Sequence, residues 1–460
     1  MDFSPTFNNL AVNYKHKAIS IIYKMPVEHP QLTKLIRKVK FRLLPLIVLM
    51  FALAMLDRSN VGFVKHYLEI DAGISASAYA LGAGIFFIGY ALFEVPSNII
   101  LHKVGARLWL SRIMVTWGLV SIAMIFVHDP MSFYILRFLL GAAEAGFSPG
   151  VILFLTYWFP KTYRGQAYGW YYLGVPIALM LGGPFSGWLL DSGYTFGFRN
   201  WQWMFIVQGA LTALVGIIAF FVLVSKPDQA KWLTQDEKRL LNQALAKDQS
   251  LQAQTENSTD QRVFTDWRVW RFVFIYFTIQ MSVYGVLFYL PSKLAELLNI
   301  HIGLTVGYYS AIPWVCTLIL LPIITRIADK KANWNSMAIL MLSCAVAGIG
   351  LSTQTTQIFQ FMLMISLAVV GFIVVQPLFW NLPTQYLSGR SAAVGTALIG
   401  SVGNLGGFVA PNLKNWADQL WNNDIAGLTV LAIVGFMGVI FLILLKREHH
   451  IAGKQLSTRN

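Results

Sequence analysis

Four charged side chains lie inside two long apolar stretches of this sequence, and they are groups that could bind an anion and exchange protons. Asp57 and Arg58 are adjacent in the stretch from 41 to 64, and Arg137 and Glu144 are seven residues apart in the stretch from 133 to 160. Seven residues are two helical turns, so Arg137 and Glu144 point to nearly the same side of a helix. A charge inside such a helix costs about 3 kcal/mol or more and usually faces a wet cavity or a partner. We therefore interpret these residues as the charged centre of a functional site.

Arg58 has the planar, permanently charged side chain that suits a carboxylate, and we predict that it binds an anionic ligand. The alternative is a structural ion pair with an acid on another helix. Asp57 is rotated by about 100° from Arg58, so we expect it to face a neighbouring helix with Arg137 as its partner. A purely structural salt bridge between Asp57 and Arg137 is the alternative there.

Glu144 is the predicted proton carrier, because a carboxyl group in a mostly apolar helix can load and release a proton as its surroundings change. An ion pair with Arg58, or a bound water, is the alternative. Coupling would follow if an anion bound well only when protons had cancelled nearby negative charge. Glu94 is a further acid in an apolar stretch, where a structural hydrogen bond is favoured.

Polar side chains in the other apolar stretches are candidates for the wall of the same site. They are Tyr90, Gln280, Tyr284, Gln376, Asn381 and Asn404. Gln280 and Tyr284 lie one helical turn apart, and Asn404 lies among glycines that would allow close approach to a ligand. Each could instead make a hydrogen bond between helices, worth about 0.6 kcal/mol on average.

The composition indicates a protein that crosses a membrane many times. Of the 460 residues, 56% are hydrophobic and only 12% are charged, whereas a soluble domain is about 25% charged. Twelve stretches are long enough to cross a bilayer as helices; they cover approximately 43–64, 79–101, 108–127, 132–156, 168–190, 202–224, 271–291, 305–326, 336–353, 358–382, 392–413 and 425–445. We predict a tail (1–42), a six-helix bundle (43–224), a linker with a short surface helix (225–270), a second six-helix bundle (271–446) and a tail (447–460).

Lys and Arg residues are concentrated in the loops and tails of one side. If the N-terminus is cytoplasmic, the outer loops hold only Lys65, Arg199, Lys293 and Lys414. Cytoplasmic loops carry an excess of these residues, so we predict a multi-pass cell-membrane protein, expected in a bacterial inner membrane, with both termini cytoplasmic. The same loops account for the net charge of +14, and nucleic acid is not an expected partner.

The two halves of the sequence resemble each other. Arg164 precedes Gly169 by five residues after the fourth stretch, and Arg390 precedes Gly395 by five residues after the tenth. Two related six-helix halves with a central linker are the plan of many secondary transporters, in which the site lies between the halves.

Several motifs make the sequence resemble the major facilitator superfamily and, within it, the anion:cation symporter family. The motifs are LDRSNVGF (56–63), YALFEVPSN (90–98), KVGARLW (103–109), LRFLLGAAEAGFSPG (136–150), WFPKTYRG (158–165) and GNLGGFVAP (403–411). That family includes carriers of rhamnonate, galactonate, tartrate, phthalate and 4-hydroxyphenylacetate. The resemblance implies an all-α fold of twelve transmembrane helices in two six-helix bundles.

The resemblance also implies roles for individual residues. The acids matching Asp57 and Glu144 take up coupling protons, and the basic residue matching Arg58 meets the substrate anion. Tyr90 and Asn404 match pocket residues. The expected function is therefore import of a small organic anion, either a sugar acid or an aromatic carboxylate, by proton symport.

One loop departs from the family pattern. His102 stands before Lys103 where the superfamily usually has an acid, whereas the loop after the eighth stretch keeps Asp329. We expect gating contacts at Lys103, Arg107 and Asp329, with a weakened latch on the first half.

Other function classes are weighed against this expectation. Export or exchange of an anion by the same fold stays open, and an uncoupled channel is a further alternative. Efflux of cationic drugs is disfavoured by the buried cationic residues. An enzyme is not expected, because no nucleophile, metal-ligand or nucleotide motif is found. We expect no cofactor and no metal, a monomer, and the lipid bilayer, a small organic anion and protons as partners.

Overall fold

The computed structural model describes residues 30–192, 196–255, 263–331, 333–387 and 389–457, and these residues are almost entirely helical. The first half contains α1 (Pro30–Ala72), α2 (Ala76–Val104), α3 (Ala106–Ala123), α4 (Pro130–Glu144), α5 (Phe147–Trp158), α6 (Lys161–Tyr172), α7 (Gly174–Asp191) and α8 (Asn200–Val222). The linker contains α9 (Gln235–Thr255). The second half contains α10 (Trp267–Leu287), α11 (Leu290–Leu298), α12 (Leu304–Lys331), α13 (Trp334–Ser352), α14 (Ile358–Tyr386), α15 (Gly389–Asn404), α16 (Gly406–Trp421) and α17 (Ala426–Ser457).

Twelve helical segments of the described residues are long and apolar enough to cross a membrane. Eight are single helices, and four are pairs of helices that continue one another across a break: α4 with α5, α6 with α7, α10 with α11, and α15 with α16. All twelve predicted stretches fall on these segments. The prediction of an all-α fold with twelve transmembrane helices is confirmed, because hydrophobic length decides this feature.

Helix α1 begins at Pro30, well before the start at residue 43 that hydrophobicity alone suggests. Leu35, Ile36 and Val39 of this polar extension are buried against the rest of the chain, so packing continues the helix beyond the apolar stretch. At the other end of the sequence, α17 continues to Ser457. Neither extension has a proline in its interior, so no backbone hydrogen bond of the helix is lost for that reason.

The fourth crossing is broken in its middle, directly after Glu144. Gly146 separates α4 from α5 and has a φ of +84°, a backbone conformation that residues with a side chain rarely adopt. A Cβ atom at this position would also overlap the Ser97 side chain of α2. Helix α4 therefore ends at Glu144 because the backbone must turn there.

The two halves meet along two pairs of helices, α7 with α12 and α2 with α16. Gly183 and Gly307 allow the backbones of α7 and α12 to touch, since a Cβ on Gly183 would lie 2.7 Å from the Gly307 carbonyl oxygen. Near the same end, Ser77 Oγ of α2 accepts hydrogen bonds from Asn415 and Gln419 of α16 at 3.2 Å and 2.8 Å. We call this end of the molecule the sealed end.

Burial along α2 changes abruptly in the middle of the helix. From Ala78 to Tyr90 most residues are buried, whereas from Leu92 to Val104 most are exposed or half-exposed. In helix α12 all the buried residues except Ala328 lie between Val306 and Thr317. The halves are therefore tightly packed at the sealed end and diverge towards the end that carries Lys103 and Asp329, which we call the open end.

Candidate functional site

Arg58 and Glu144 form an ion pair in the interior of the first half. The Arg58 Nη2 atom lies 2.6 Å from Glu144 Oε1, and Arg58 Nε donates to the same oxygen at 2.8 Å. The Glu144 side chain is fully buried, and the Arg58 side chain is 11% exposed. Arg58 Nη1 also donates to the Tyr284 hydroxyl of α10 at 3.0 Å. This arginine thus connects the two halves of the protein at its centre.

Aromatic rings surround the Arg58 guanidinium group. Its central carbon lies 5.1 Å from the centre of the Tyr90 ring and 5.4 Å from that of Phe86. Phe87 packs edge-on against Tyr284 with 4.4 Å between ring centres. A cation enclosed by rings keeps its charge in a region of low dielectric, where it attracts an anion strongly.

Close packing of α2 against α4 places these rings beside the ion pair. Gly141 and Gly89 lie at the contact, and a Cβ on Gly141 would overlap the carbonyl oxygen of Phe86. Because α4 ends at Glu144, that carboxylate lies at a helix break rather than in regular helix. Asn404 also lies at a helix break, as the last residue of α15 before α16 on the eleventh crossing.

Asp57 faces the opposite side of α1, within the first half. Its Oδ1 atom accepts a hydrogen bond of 2.6 Å from Ser121 of α3 and one of 3.4 Å from Asn60. Asn60 donates in turn to Gln208 of α8 at 3.1 Å, and Gln208 donates to Ser186 of α7 at 2.9 Å. The expectation that Asp57 faces a neighbouring helix is correct. The buried polar chain from Asn60 to Ser186 was not predicted, although Asn60 in LDRSN and Gln208 in an apolar stretch were visible signals.

Asp57 and Arg137 make no direct ion pair in this structure, although their charges act on each other from a distance. Arg137 is 1% exposed, and its guanidinium group donates to the carbonyl oxygens of Gly82 and Ala83 on α2 at 3.3 Å and 3.2 Å. It also approaches the Phe86 ring, at 4.9 Å. Spacing along the sequence fixes the direction of a side chain around its own helix, but not which neighbouring helix it meets. In this conformation, Arg137 joins α4 to α2.

Each of the two buried acids has one oxygen without a hydrogen bond of normal geometry in the described part of the chain, although the Trp117 indole group, whose Nε1 atom likewise has none, interacts with Asp57. These atoms are Oδ2 of Asp57 and Oε2 of Glu144. Buried polar atoms are nearly always paired, so such exceptions need an explanation. A proton on an unpaired carboxylate oxygen removes the charge that makes its burial costly.

The second half contributes a pair of amide side chains from the predicted pocket residues. Gln280 Nε2 of α10 donates to Asn404 Oδ1 at 2.9 Å. Gln280 is one turn from Tyr284, so α10 carries on one side both the amide that meets Asn404 and the hydroxyl that meets Arg58. The Gln280 Oε1 atom has no hydrogen-bond partner within the described residues, and is an acceptor available to a ligand.

Two other predicted pocket residues make contacts within their own helix. Gln376 donates to the Phe372 carbonyl oxygen at 3.2 Å, and Asn381 donates to the Pro377 carbonyl oxygen at 2.9 Å. Helix α14 carries both side chains. No described hydrogen bond joins Gln376 to Arg58, Gln280 or Asn404.

The predicted gating residues lie towards the open end, in contacts with their own halves. Arg107 donates to the Phe220 carbonyl oxygen at 2.5 Å, and its backbone nitrogen donates to Ser225. Asp329 accepts a hydrogen bond of 2.7 Å from Trp334, and Lys103 is exposed. The described contacts of Arg107 and Asp329 do not join the halves in this conformation, which agrees with divergence of the helices at this end.

Glu94 joins the halves between the site and the open end. Its Oε2 atom accepts a hydrogen bond of 2.9 Å from Ser401 of α15. This agrees with the expected structural hydrogen bond. Among the described residues, no group of three or more His, Cys, Asp or Glu side chains is arranged to hold a metal ion.

Comparison with known families decides the class of protein. The sequence model of the Major Facilitator Superfamily matches residues 47–411, which include Asp57, Arg58 and Glu144. The chain belongs to the major facilitator superfamily. Members of this superfamily are membrane transporters and not enzymes, so the chain is a multi-pass membrane protein, and the prediction that it is no enzyme is confirmed by its family.

Three curated relatives are similar over most of their length. The Inner membrane transport protein RhmT of Escherichia coli (strain K12) is 41% identical, over 92% of this chain and 97% of the relative. A Putative tartrate transporter of Agrobacterium vitis is 36% identical, over 90% and 92%. A Quinolone resistance transporter of Acinetobacter baumannii is 39% identical, over 88% and 93%.

Solved structures support the same fold. A bacterial homologue of the human lysosomal transporter Spinster, in an inward-facing and occupied conformation, superposes with a TM-score of 0.70 at 14% identity. The match covers 88% of this chain and 96% of that one. At this identity the likeness concerns the fold alone, and it confirms the facilitator architecture.

Proposed function

We propose that this facilitator imports a small organic anion together with protons, by alternating access of a central site to the two sides of the membrane. The observation that carries the proposal is the buried Arg58–Glu144 ion pair, which touches Tyr284 of the other half. A permanently charged fork at the junction of two halves is suited to a carboxylate. The carboxylate of Glu144 now occupies the place that a substrate carboxylate would take.

Competition for Arg58 provides the coupling. While Glu144 is ionised, it neutralises Arg58, and a substrate anion gains little by approaching. A proton on Glu144 removes that competitor and frees the guanidinium group, so the anion and the proton bind together. Oε2 of Glu144, which has no partner among the described residues, is the atom at which we place the proton.

Asp57 is the proposed second proton site. It lies one residue from Arg58 but on the other side of α1, where Ser121 donates to Oδ1 and Oδ2 is unpaired. Uptake of a proton there would change the hydrogen bonds of Asn60 and thus the contact of α1 with α8. This links protonation to the packing of the first half rather than to the substrate itself.

The second half supplies the polar contacts that would fix the rest of the substrate. Gln280, Asn404 and Tyr284 lie on the side of the site opposite Glu144, with Tyr90 as an aromatic wall. The A. vitis relative is named a Putative tartrate transporter, which favours a hydroxylated organic acid. Because both halves of one chain complete the site, we propose that the monomer is the working unit.

The excess of Lys and Arg in the loops at the open end supports its assignment to the cytoplasm, with both termini on that side. The sealed end, which carries Lys65, Lys293 and Lys414, then faces outwards. The described conformation is therefore the inward-facing state.

Export of an anion is the second candidate function. It is favoured by the A. baumannii relative, which is named a Quinolone resistance transporter. Alternating access runs in either direction, so the ion gradients rather than the fold set the direction of net movement.

Purified protein in liposomes tests the proposal. A panel of labelled acids (rhamnonate, galactonate, tartrate and 4-hydroxyphenylacetate) is offered with the outside acidic and, separately, with no pH gradient. The proposal predicts accumulation of at least one acid above its external concentration only with the inward proton gradient. Equal accumulation with and without the gradient would contradict proton symport, whereas loss of preloaded acid driven by an inward proton gradient would favour export.

A further inference from the structure

We infer that Lys65 forms an entry station for the substrate carboxylate, between the sealed end and Arg58. This inference rests on the proposed function, in which an anion reaches Arg58 from the outer side. It adds a binding site outside the central one and commits to the same class of ligand, a small organic carboxylate.

Lys65 lies on the same helix and the same face as Arg58. The two residues are seven positions apart, which is two turns or about 10 Å along α1. Each cation meets a tyrosine of the second half: Arg58 contacts the Tyr284 hydroxyl, and the Lys65 ammonium group lies 5.0 Å from the centre of the Tyr289 ring. The two cation–tyrosine pairs thus follow one another along the seam between the halves.

Lys65 has no ion-pair partner in the described part of the chain, although it is only partly exposed. Its ammonium group lies beside two rings, 5.8 Å from the centre of Tyr79 and 5.0 Å from that of Tyr289. Glu69, one turn further along α1, and Asp418 and Asp424 of the second half are acids that act on it from a distance. Lys65 is therefore a cation without a direct carboxylate partner among the described residues, on the helix that carries Arg58.

A second lysine reaches the same tyrosine from the other half. The ammonium group of Lys414 on α16 lies 4.3 Å from the centre of the Tyr289 ring and forms an ion pair with Asp418. Lys65 and Lys414 repel each other when the halves meet. Of these two cations, only Lys414 is neutralised within its own half, so Lys65 is the cation left for a ligand.

Opening of the sealed end would expose this arrangement to the outer solution. Tyr79 donates to the Phe288 carbonyl oxygen across the seam at 3.3 Å, and Tyr289 and Lys414 belong to the second half. When the halves separate, the second half withdraws from Lys65 and leaves it at the mouth of the cavity. A carboxylate entering there would meet Lys65 first and Arg58 two turns deeper, so the field of the cations guides it inwards.

The test compares transport in the two directions for Lys65→Met and Lys65→Arg. The probe is the panel acid that the wild-type protein takes up fastest, with rhamnonate examined first. Influx is measured in intact cells, and outward transport of the same acid is measured from the cytoplasmic side in inverted vesicles. Lys293→Met is the matched control, because Lys293 lies at the same end but pairs with Glu296 on α11.

We expect Lys65→Met to raise the KM for influx fivefold or more, with the KM measured from the cytoplasmic side changed less than twofold. Added salt should lower wild-type influx at low substrate concentration more than it lowers influx by Lys65→Met. The influx KM of Lys65→Arg and that of Lys293→Met should each stay within twofold of the wild-type value.

Two results would overturn the entry station. An unchanged influx KM in Lys65→Met would show that Lys65 does not bind the entering anion. Equal losses of transport rate in both directions would show that Lys65 only stabilises the contact between the halves. In both results the wild-type protein still transports the acid. Failure of the proposed function is distinguishable, because the wild-type protein itself would then transport none of the acids.

Discussion

Arg58 and Glu144 are bound to each other: a single carboxylate oxygen of Glu144 lies within 2.8 Å of two nitrogens of Arg58. The pair is buried, so breaking it without a replacement would leave an uncompensated charge in a region of low dielectric. Any anion that displaces Glu144 must therefore arrive with a proton for it. The proposed mechanism therefore centres on the exchange of a substrate carboxylate for the Glu144 carboxylate at Arg58.

The shape of the Arg58 side chain should matter as well as its charge. Arg58→Lys keeps the charge but offers one ammonium group where the guanidinium group contacts both Glu144 and Tyr284. We expect the KM for influx to rise at least tenfold, equivalent to about 1.4 kcal/mol of binding free energy. Substrate-concentration series in liposomes measure this, and a KM within twofold of the wild type would show that Arg58 does not hold the anion.

The predicted pocket residues should separate into two groups. Gln280→Ala removes a side chain that bonds to Asn404 and offers an unpaired acceptor, and we expect a fivefold or larger rise in KM. Gln376→Ala removes an amide that donates to its own helix, and its KM should stay within twofold of the wild type. Influx measurements on the two variants in parallel check this prediction. An equal rise in KM for both variants would indicate that both side chains contact the substrate.

The break after Glu144 should depend on glycine. Gly146→Ala places a Cβ against Ser97 at a φ of +84°, which costs about 1–3 kcal/mol of backbone strain in addition to the overlap. We expect a melting temperature in detergent several degrees below that of the wild type. Gly165→Ala is the control, because its Cβ would meet no atom within 4 Å. If both variants have the same melting temperature, glycine at position 146 is not required for the stability of the protein.

Alternating access requires the sealed end to open. Ser77 and Asn415 are hydrogen-bonded across the seam, so cysteines at both positions should be joined by mild oxidation or by a short bifunctional thiol reagent. Cys316 and Cys344, which are free thiols, are first replaced by serine. We expect cross-linking to abolish influx and a reductant to restore it after oxidation, while either single-cysteine variant remains active.

Persistence of transport in the fully cross-linked protein would count against separation of the halves at this end. The extent of cross-linking is measured on the same samples, by the shift of the protein on a gel after cleavage between the halves. A protease site inserted in the linker, next to residue 256, makes that cleavage possible.

The fold was predictable because each crossing is encoded locally by about 20 apolar residues. A contact between Arg58 and Glu144 was among the alternatives that the sequence left open, because charges in such stretches are rare. By contrast, the direct hydrogen-bond partners of Arg137 could not be predicted. Arg137 binds the carbonyl groups of Gly82 and Ala83, which are main-chain atoms of another helix, and no pattern of side chains in the sequence predicts such contacts.

The broken helices show a second limit of sequence analysis. The stretch from 133 to 160 is uniformly apolar around Glu144, so hydrophobicity predicts one continuous helix. Gly146, followed by Pro149, was the available signal, but glycine is also common in straight membrane helices. The close approach of Ser97, which comes from another helix, adds a second reason for glycine at this position that hydrophobicity does not show.

The most direct test of the account measures Glu144→Gln in two assays on the same liposomes. Glutamine keeps the size of the side chain and cannot ionise, so Arg58 stays available to the anion but no proton can be exchanged at this position. We predict that gradient-driven accumulation is lost while counterflow exchange of labelled for unlabelled acid continues at a rate within threefold of the wild type. Normal accumulation by Glu144→Gln in an inward proton gradient would contradict the claim that this carboxylate exchanges the coupled proton.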